Sequence, residues 1–420
     1  MMCNILLVIY NIVLIKLAIF LCPIILIAFI IQPKFRAGFW EKIGFYSFDK
    51  NVKTTVFHAV SVGETNAIKE LVKQYKEKNP DEHIVITTTT KTGQEIAKKS
   101  FSQIADKVTY FPYDFFFSVI SFLVVFRPEK IVIAETEIWP SFVIISKLFG
   151  VKVYTVNGRI SPHSYNGYKK IKLFLSQIFS NYEKIFMQSN DDAKRMVDIG
   201  ASVEKTEVMG NLKFDITPNL SYEEIKKYKD ELKTKECRLF IGASTHKGED
   251  EIVLSAFNYI KNDFDDAKLL LVPRHPQRYD EVSELLNISG YKWGKRSKND
   301  NFAENEIILL DTMGELAKLF SICHIAFIGG SFSQTGGHNP LEANIWEKPV
   351  LSGPTVFNFK DVYKVVTDKK CAVIVNDEDE FKKELHSFYE NNEKYQQYCE
   401  NAKSVFDENR GAINYVIERI

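Results

Sequence analysis

From residue 54 onward, short runs of β-branched and aromatic residues alternate with segments of helical period, and this alternation constrains the fold more than any other feature. Runs of strand character fall at 55–59, 84–88, 107–111, 130–134, 152–156 and 184–188, and a second set at 239–243, 267–272, 306–310, 325–328, 349–352 and 372–375. Stretches between them, such as 64–79 and 139–149, repeat apolar residues at helical spacing. Strand–helix alternation of this kind predicts parallel, doubly wound sheets. Two such sets imply an α/β chain of two consecutive Rossmann-like domains, 47–210 and 211–420, with the boundary near 210–219. Ligands of open α/β sheets bind outside the C-terminal ends of the strands.

Residues 1–46 stand apart. The stretch 5–31 is almost wholly apolar, broken by Asn11 and Lys16, and is followed by Lys34, Arg36 and Lys42. A bilayer-spanning helix needs about 20 apolar residues, which this stretch supplies if Lys16 snorkels or lies off-centre. A cleaved signal peptide fits poorly, because no basic residue precedes the run and no small-x-small site follows it. The basic flank predicts a cytoplasmic body. Phe35, Phe39, Trp40, Phe45 and Tyr46, interleaved with those cations, predict an interfacial collar on anionic membrane lipids. The 54 basic and 54 acidic residues cancel, so nothing global points to nucleic acid. Six cysteines without a CxxC pair suit a reducing compartment.

Polar, chemically capable residues follow the strands. The first half carries Ser61-Val62-Gly63-Glu64, Glu135-Thr136-Glu137-Ile138-Trp139-Pro140 and Asn157-Gly158-Arg159. In the second half, Ser244-Thr245-His246, Pro273-Arg274-His275-Pro276, Thr312-Met313-Gly314-Glu315 and Gly329-Gly330-Ser331 take the same place. Glu64 reads either as a desolvated proton acceptor or as an acidic first-turn residue that favours the helix dipole. Glu135 and Glu137 would share one side of an extended chain and split their pKa values, unless a helix has already begun there. Lys213, at the hinge, is either a solvated linker cation or one that meets charge developing in a cleft. Arg274 and His275, framed by prolines, suit a phosphate. In Gly336-Gly337-His338-Asn339-Pro340-Leu341-Glu342, Asn339 reads as an N-cap and Pro340 as the first helical residue, which would aim a helix N-terminus at an anion and offer Glu342 to a diol. The alternative is an ordinary strand–loop–helix whose glycines only make turns. His246, His275 and His338 lie on separate loops without ligand spacing, and Asp263-Phe264-Asp265 precedes a strand, so no metal is expected.

Taken together, His58 to Glu64, Thr87 to Gly93, Glu135 to Pro140, Gly210-Asn211-Leu212-Lys213-Phe214-Asp215, Ala243 to His246, Pro273 to Pro276, Met313 to Glu315 and Gly336 to Glu342 resemble the motifs of the Kdo transferases. These membrane-anchored enzymes add 3-deoxy-D-manno-octulosonic acid (Kdo) to the lipid A precursor of Gram-negative lipopolysaccharide. The resemblance spans both domains and the anchor. It implies a GT-B fold, CMP-Kdo as donor, an acylated, phosphorylated glucosamine disaccharide as acceptor, inversion at the anomeric carbon, no cofactor, and a place on the cytoplasmic face of the inner membrane. It makes Glu64 the general base and Glu135 and Lys213 transition-state stabilisers. It assigns CMP to Arg274, His275, Met313, Gly314, Glu315, Asn339, Pro340, Leu341 and Glu342. The chain departs from the family pattern at Gly158, at Phe332-Ser333-Gln334-Thr335, which lacks a Pro-Arg pair, and at Ala343. Other readings are a transferase or epimerase of the same fold acting on another nucleotide sugar, and a membrane-tethered nucleotide-binding module. Nothing in the sequence specifies an oligomeric state.

Overall fold

The structure, a computed structural model, describes residues 2–32, 36–48, 51–215 and 220–420. Two compact units emerge, Met1–Asp215 with Asn409–Ile420, and Ile216–Glu408. The first unit is built on seven strands: β1 (Thr54–His58), β2 (His83–Thr88), β3 (Lys107–Tyr110), β4 (Pro128–Ala134), β5 (Lys152–Gly158), β6 (Lys184–Met187) and β7 (Thr206–Val208). Their order is β3-β2-β1-β4-β5-β6-β7, with every pair parallel. All five residues of β1 are buried, because helices cover both faces of the sheet. Val56 enters one core with Ile131 and Phe142, and its neighbour Phe57 enters the opposite core with Leu71 and Ile84.

The last residues of the chain return to this unit. Ile413, Val416 and Ile417 join the Phe57 core, and the Asp215 carboxylate accepts from the backbone N–H groups of Gly411 (2.6 Å) and Ile413. Residues 409–420 therefore lie with the first unit and not with the 211–420 segment. Part of the anticipated boundary, 216–219, lies outside the described residues.

The second unit repeats the plan with β8 (Arg238–Thr245), β9 (Ala267–Pro273), β10 (Trp293–Lys295), β11 (Ile307–Leu309), β12 (Ile325–Ile328), β13 (Val350–Ser352) and β14 (Ala372–Ile374). The order is β10-β11-β9-β8-β12-β13-β14, again all parallel. The expected α/β class and two Rossmann-like sheets of a GT-B protein are borne out. Two strands were not anticipated, β7 and β10, both three-residue edge strands.

Helix α1 (Met2–Ile31) is long and apolar enough to cross a membrane. The collar is only partly as expected. Trp40 and Phe45 are largely exposed and stack edge-on, whereas Tyr46 packs against Phe122 and Phe126. Lys42 is buried with its amine over the Tyr110 ring (4.7 Å), so it does not face lipid head groups. Arg36 folds back on the carbonyls of Phe29 (2.8 Å) and Ile30 (2.5 Å), a cation capping the negative end of α1. Lys34 and Phe35 lie outside the described residues.

Candidate active site

The chain starts each sheet near its middle and crosses to the other half between β1 and β4 in the first unit and between β8 and β12 in the second. Loops leaving the C-terminal ends of such strands splay apart and open a crevice. Among the sequence-predicted residues, Glu64, Glu135 and 339–342 follow such strands, whereas Lys213 follows β7, Arg274 and His275 follow β9, and Met313 to Glu315 follow β11.

In the first unit the loop after β1 ends in Ser61, the N-cap of the helix Val62–Ala67. Glu64, only 8% exposed, accepts from the Val60 N–H (2.7 Å) through Oε2 and from the Ser61 hydroxyl (2.9 Å) through Oε1. Desolvation raises its pKa above the ordinary carboxylate value, the charge of Glu135 adds to this, and these hydrogen bonds oppose it. Each carboxylate oxygen keeps a second acceptor position. Across the switch point, Glu135 adopts a left-handed backbone (φ 58°) at the end of β4. Its neighbour Glu137 is pushed up to about 7 by desolvation, with the charges of Glu64 and Glu135 adding. Three carboxyl groups therefore interact electrostatically at one strand edge.

Cations meet them there. Lys213 lies in the short 3-10 turn Leu212–Phe214, which Asn157 anchors by accepting from the Leu212 N–H (3.1 Å). Asn211 caps that turn (3.0 Å to the Lys213 N–H) and donates to Gln188 (3.0 Å), which in turn donates to the Asn157 carbonyl (3.0 Å). Desolvation lowers the Lys213 pKa, while the charge of Glu135 raises it and that of Arg159 lowers it. Thr136 ties the Glu135 loop to the Arg159 loop, donating to the Arg159 carbonyl (2.6 Å) and accepting from its N–H (2.8 Å). Glu64, Glu135 and Lys213 are thereby brought together. His58 is not part of this group: it is fully buried, stacked on Phe111 (3.8 Å) and bonded to Thr87 (3.0 Å).

In the second unit the loop after β12 closes on a carboxylate of the same unit. The buried carboxylate of Glu249 accepts from the N–H groups of Gly330 (2.7 Å), Ser331 (2.8 Å) and Phe332 (2.8 Å), and from that of His246 (2.8 Å). The N–H groups of this loop are thus taken by one of the protein's own side chains. Gly329 is required by close approach, since a Cβ there would meet the Ser244 carbonyl at 2.5 Å. The helix after Asn339 is a single turn, Leu341–Asn344, too short to sum a useful dipole; it ends where Asn344 donates to the carbonyls of Lys348 (2.9 Å) and Cys371 (3.1 Å). Pro340, expected as the first helical residue, is instead the N-cap, and Asn339 precedes it, its side chain accepting from the Leu341 N–H (3.2 Å).

What these loops present instead is a cluster of rings and a cation. His246 and His338 share an Nε2–Nε2 hydrogen bond of 3.0 Å with near-parallel rings, and His275 stands edge-on to His246 at 5.4 Å. Desolvation lowers His338 to about 4, with the charges of Arg274, His246 and His275 adding; His246 is lowered mainly by desolvation too. Arg274 and His275 are exposed on the loop after β9, held at the Arg274 N–H by the Thr245 carbonyl (3.0 Å). Desolvation raises the pKa of Glu342, and Arg274 counteracts it. Leu341 is a fully buried core residue whose N–H and carbonyl are bonded within the loop and helix, so the structure does not present it to a ligand. Met313 is 74% exposed beside Gly314 (φ 85°), whereas Glu315 is engaged by Thr312 and by Arg296 (3.1 Å). No group of three or more His, Cys, Asp or Glu side chains placed to hold a metal occurs among the described residues.

Residues 37–216 match the family profile described as 3-deoxy-D-manno-octulosonic-acid transferase (kdotransferase), and residues 221–405 match glycosyl transferases group 1. The chain is 34% identical over 394 residues to the 3-deoxy-D-manno-octulosonic acid transferase of Haemophilus influenzae, covering 92% of this chain and 91% of that one. It belongs to the Kdo transferase family.

A second Kdo transferase, from Rickettsia felis, is 30% identical over 368 residues, covering 86% of this chain and 78% of that one. Among solved structures, the UDP-GlcNAc 2-epimerase of Neisseria meningitidis bound to UDP-GlcNAc superposes with a TM-score of 0.56 at 13% identity, over 87% of this chain and 98% of that one. That likeness is one of fold. This Kdo transferase is therefore a glycosyltransferase. Sequence reasoning passed over Glu249, which carries no local signal beyond a first-turn acidic position. It noted His246 and His338 only as non-ligands, without seeing that they pair.

Proposed function

We propose that the protein transfers Kdo from CMP-Kdo to a hydroxyl of the lipid A precursor in lipopolysaccharide synthesis, at the cytoplasmic face of the inner membrane. The observation that carries this reading is Glu64: a buried carboxylate of raised pKa, held by Val60 and Ser61 with acceptor positions to spare, at the switch point of a Kdo transferase. Glu64 takes the proton of the acceptor hydroxyl as that oxygen attacks the anomeric carbon. The bond from carbon to the CMP phosphate breaks on the opposite face, and configuration inverts. Glu135 stabilises the cationic sugar ring of the transition state, and Lys213, drawn towards Glu135, balances its charge.

The departing CMP carries its charge on phosphate. Arg274, with no hydrogen bond or ion pair to another described side chain, suits that phosphate through its planar fork. His275 lies beside it, Met313 and Gly314 offer an open surface to the nucleoside, and Asn339 to Glu342 offer a carboxylate for the ribose. Glu64→Ala is expected to abolish transfer while CMP binding, measured by calorimetry, survives. Retained transfer in that variant would remove Glu64 from the chemistry, and tighter binding of a uridine nucleotide than of CMP would point to another donor.

A further inference from the structure

We propose that α1 does not cross the bilayer but lies in the plane of one leaflet, latched along the first unit, with both of its ends on the same side of the membrane as the catalytic body. The proposal deepens the membrane reading above and rests on it. Three observations carry it.

First, the N-terminal third of α1 is built into the fold. Asn11, at 6% exposure, donates to the Ser141 hydroxyl (2.9 Å) and the Leu7 carbonyl (3.0 Å), and accepts from the Phe116 N–H (2.9 Å). Tyr10 donates to Asp114 (3.0 Å), whose carboxylate also accepts from the N–H groups of Ser141 (3.0 Å) and Phe142 (2.7 Å) at the start of the helix Pro140–Leu148. Asn11 in an isolated span would face hydrocarbon with unmet hydrogen bonds. Here its donors and its acceptor are used, and removing α1 as a signal peptide would strip partners from Phe116 and Asp114.

Second, the other end returns to the same surface. The Phe29 ring packs edge-on against Phe39 (5.0 Å). The turn that follows is bonded to the body through the Lys42 carbonyl and Tyr113 N–H (2.7 Å), the Glu41 carboxylate and Tyr110 N–H (3.2 Å), and the Ile43 carbonyl and Ser118 hydroxyl (3.0 Å). From Asn11 to Phe29 the helix rises about 27 Å at about 1.5 Å per residue, close to the roughly 30 Å thickness of a hydrocarbon core. A spanning helix would hold these two points on opposite faces of the membrane. Yet residues 110–121 of one unit hold Asn11 directly and hold the far end through the 39–43 turn.

Third, the outward surface is apolar beyond α1 itself. Phe20 is 79% exposed and Ile24 64% on α1, Phe117 47% and Val124 55% on the helix Phe116–Phe126, and Leu173 86% at the start of the helix Lys172–Phe179. Leu173 stands beside the exposed Lys170 and Lys172, next to Phe174, which packs on Tyr10. Apolar side chains bordered by lysines match one leaflet of an anionic bilayer, acyl chains below and phosphates at the rim.

The test uses the full chain in inner-membrane vesicles. A variant with Cys3→Ser and Cys22→Ser carries either a single cysteine inserted after Met1 or Lys170→Cys, and is treated with a membrane-impermeant maleimide in inside-out and right-side-out vesicles. Labelled positions are identified by peptide mass. The in-plane helix predicts that both cysteines react in the same vesicle orientation; reaction from opposite sides overturns it. Failure of the protein to float with vesicles would overturn the membrane reading itself, a result separable from the sidedness.

Discussion

Glu249→Gln tests how the loop after β12 is held. In the structure one buried carboxylate accepts four backbone N–H groups, from His246, Gly330, Ser331 and Phe332. The Gln amide has one carbonyl oxygen, so at most two of the four bonds survive, and its NH₂ group is set against the remaining donors. Hydrogen bonds to a charged group contribute roughly 1.5–3 kcal/mol each, so losing two costs about 3–6 kcal/mol. Alanine would leave all four donors without a partner, a loss comparable to the whole stability of a typical domain at roughly 5–15 kcal/mol, which makes Gln the informative variant. Hydrogen exchange read by mass spectrometry on the intact protein distinguishes the units. Peptides covering β12 should exchange about 10²- to 10⁴-fold faster at the level of global opening of the second unit, with peptides from β1 and β2 unchanged. A change below about twofold at β12 would refute the assignment.

Other outcomes follow from the same geometry. The rate should fall as pH drops through the raised pKa of Glu64, because only its ionised form accepts a proton; Glu135→Gln removes a like charge, lowers that pKa, and shifts the acid limb of kcat/KM to lower pH. Arg278→Met should destabilise the second unit by about 3–5 kcal/mol in urea titration, since it strands the fully buried Asp250 that Arg278 pairs with. Arg274→Ala should weaken CMP binding by about 1.5–3 kcal/mol, or roughly ten- to a hundredfold, in calorimetry without loss of stability, because its side chain is exposed.

The strands were legible because they are buried on both faces and therefore read as continuous apolar runs, as in Val85 to Ile86 or Leu269 to Val272. The two that escaped, Thr206–Val208 and Trp293–Lys295, are short edge strands whose polar and glycine residues carry no such signal. Glu64 and Glu135 could be placed because they follow the adjacent strands β1 and β4, whereas Lys213 is carried towards them by the hydrogen bonds of Asn157 and Asn211. The hold of Glu249 on the loop after β12 was not legible, because it joins residues some 80 positions apart in the chain. Lys42 was taken for a lipid-facing cation for a similar reason: Tyr110, which covers it, is a distant residue brought close by folding. Sequence patterns report local burial well and long-range polar pairing poorly.

The claim that organises the rest is Kdo transfer to the lipid A precursor. Incubating the purified protein with CMP-Kdo and that lipid, and weighing the lipid product by mass spectrometry, tests it directly. The account predicts a mass increase of one or more whole Kdo units, dependent on the protein and absent in Glu64→Ala. An unchanged lipid mass in the presence of intact donor would contradict it.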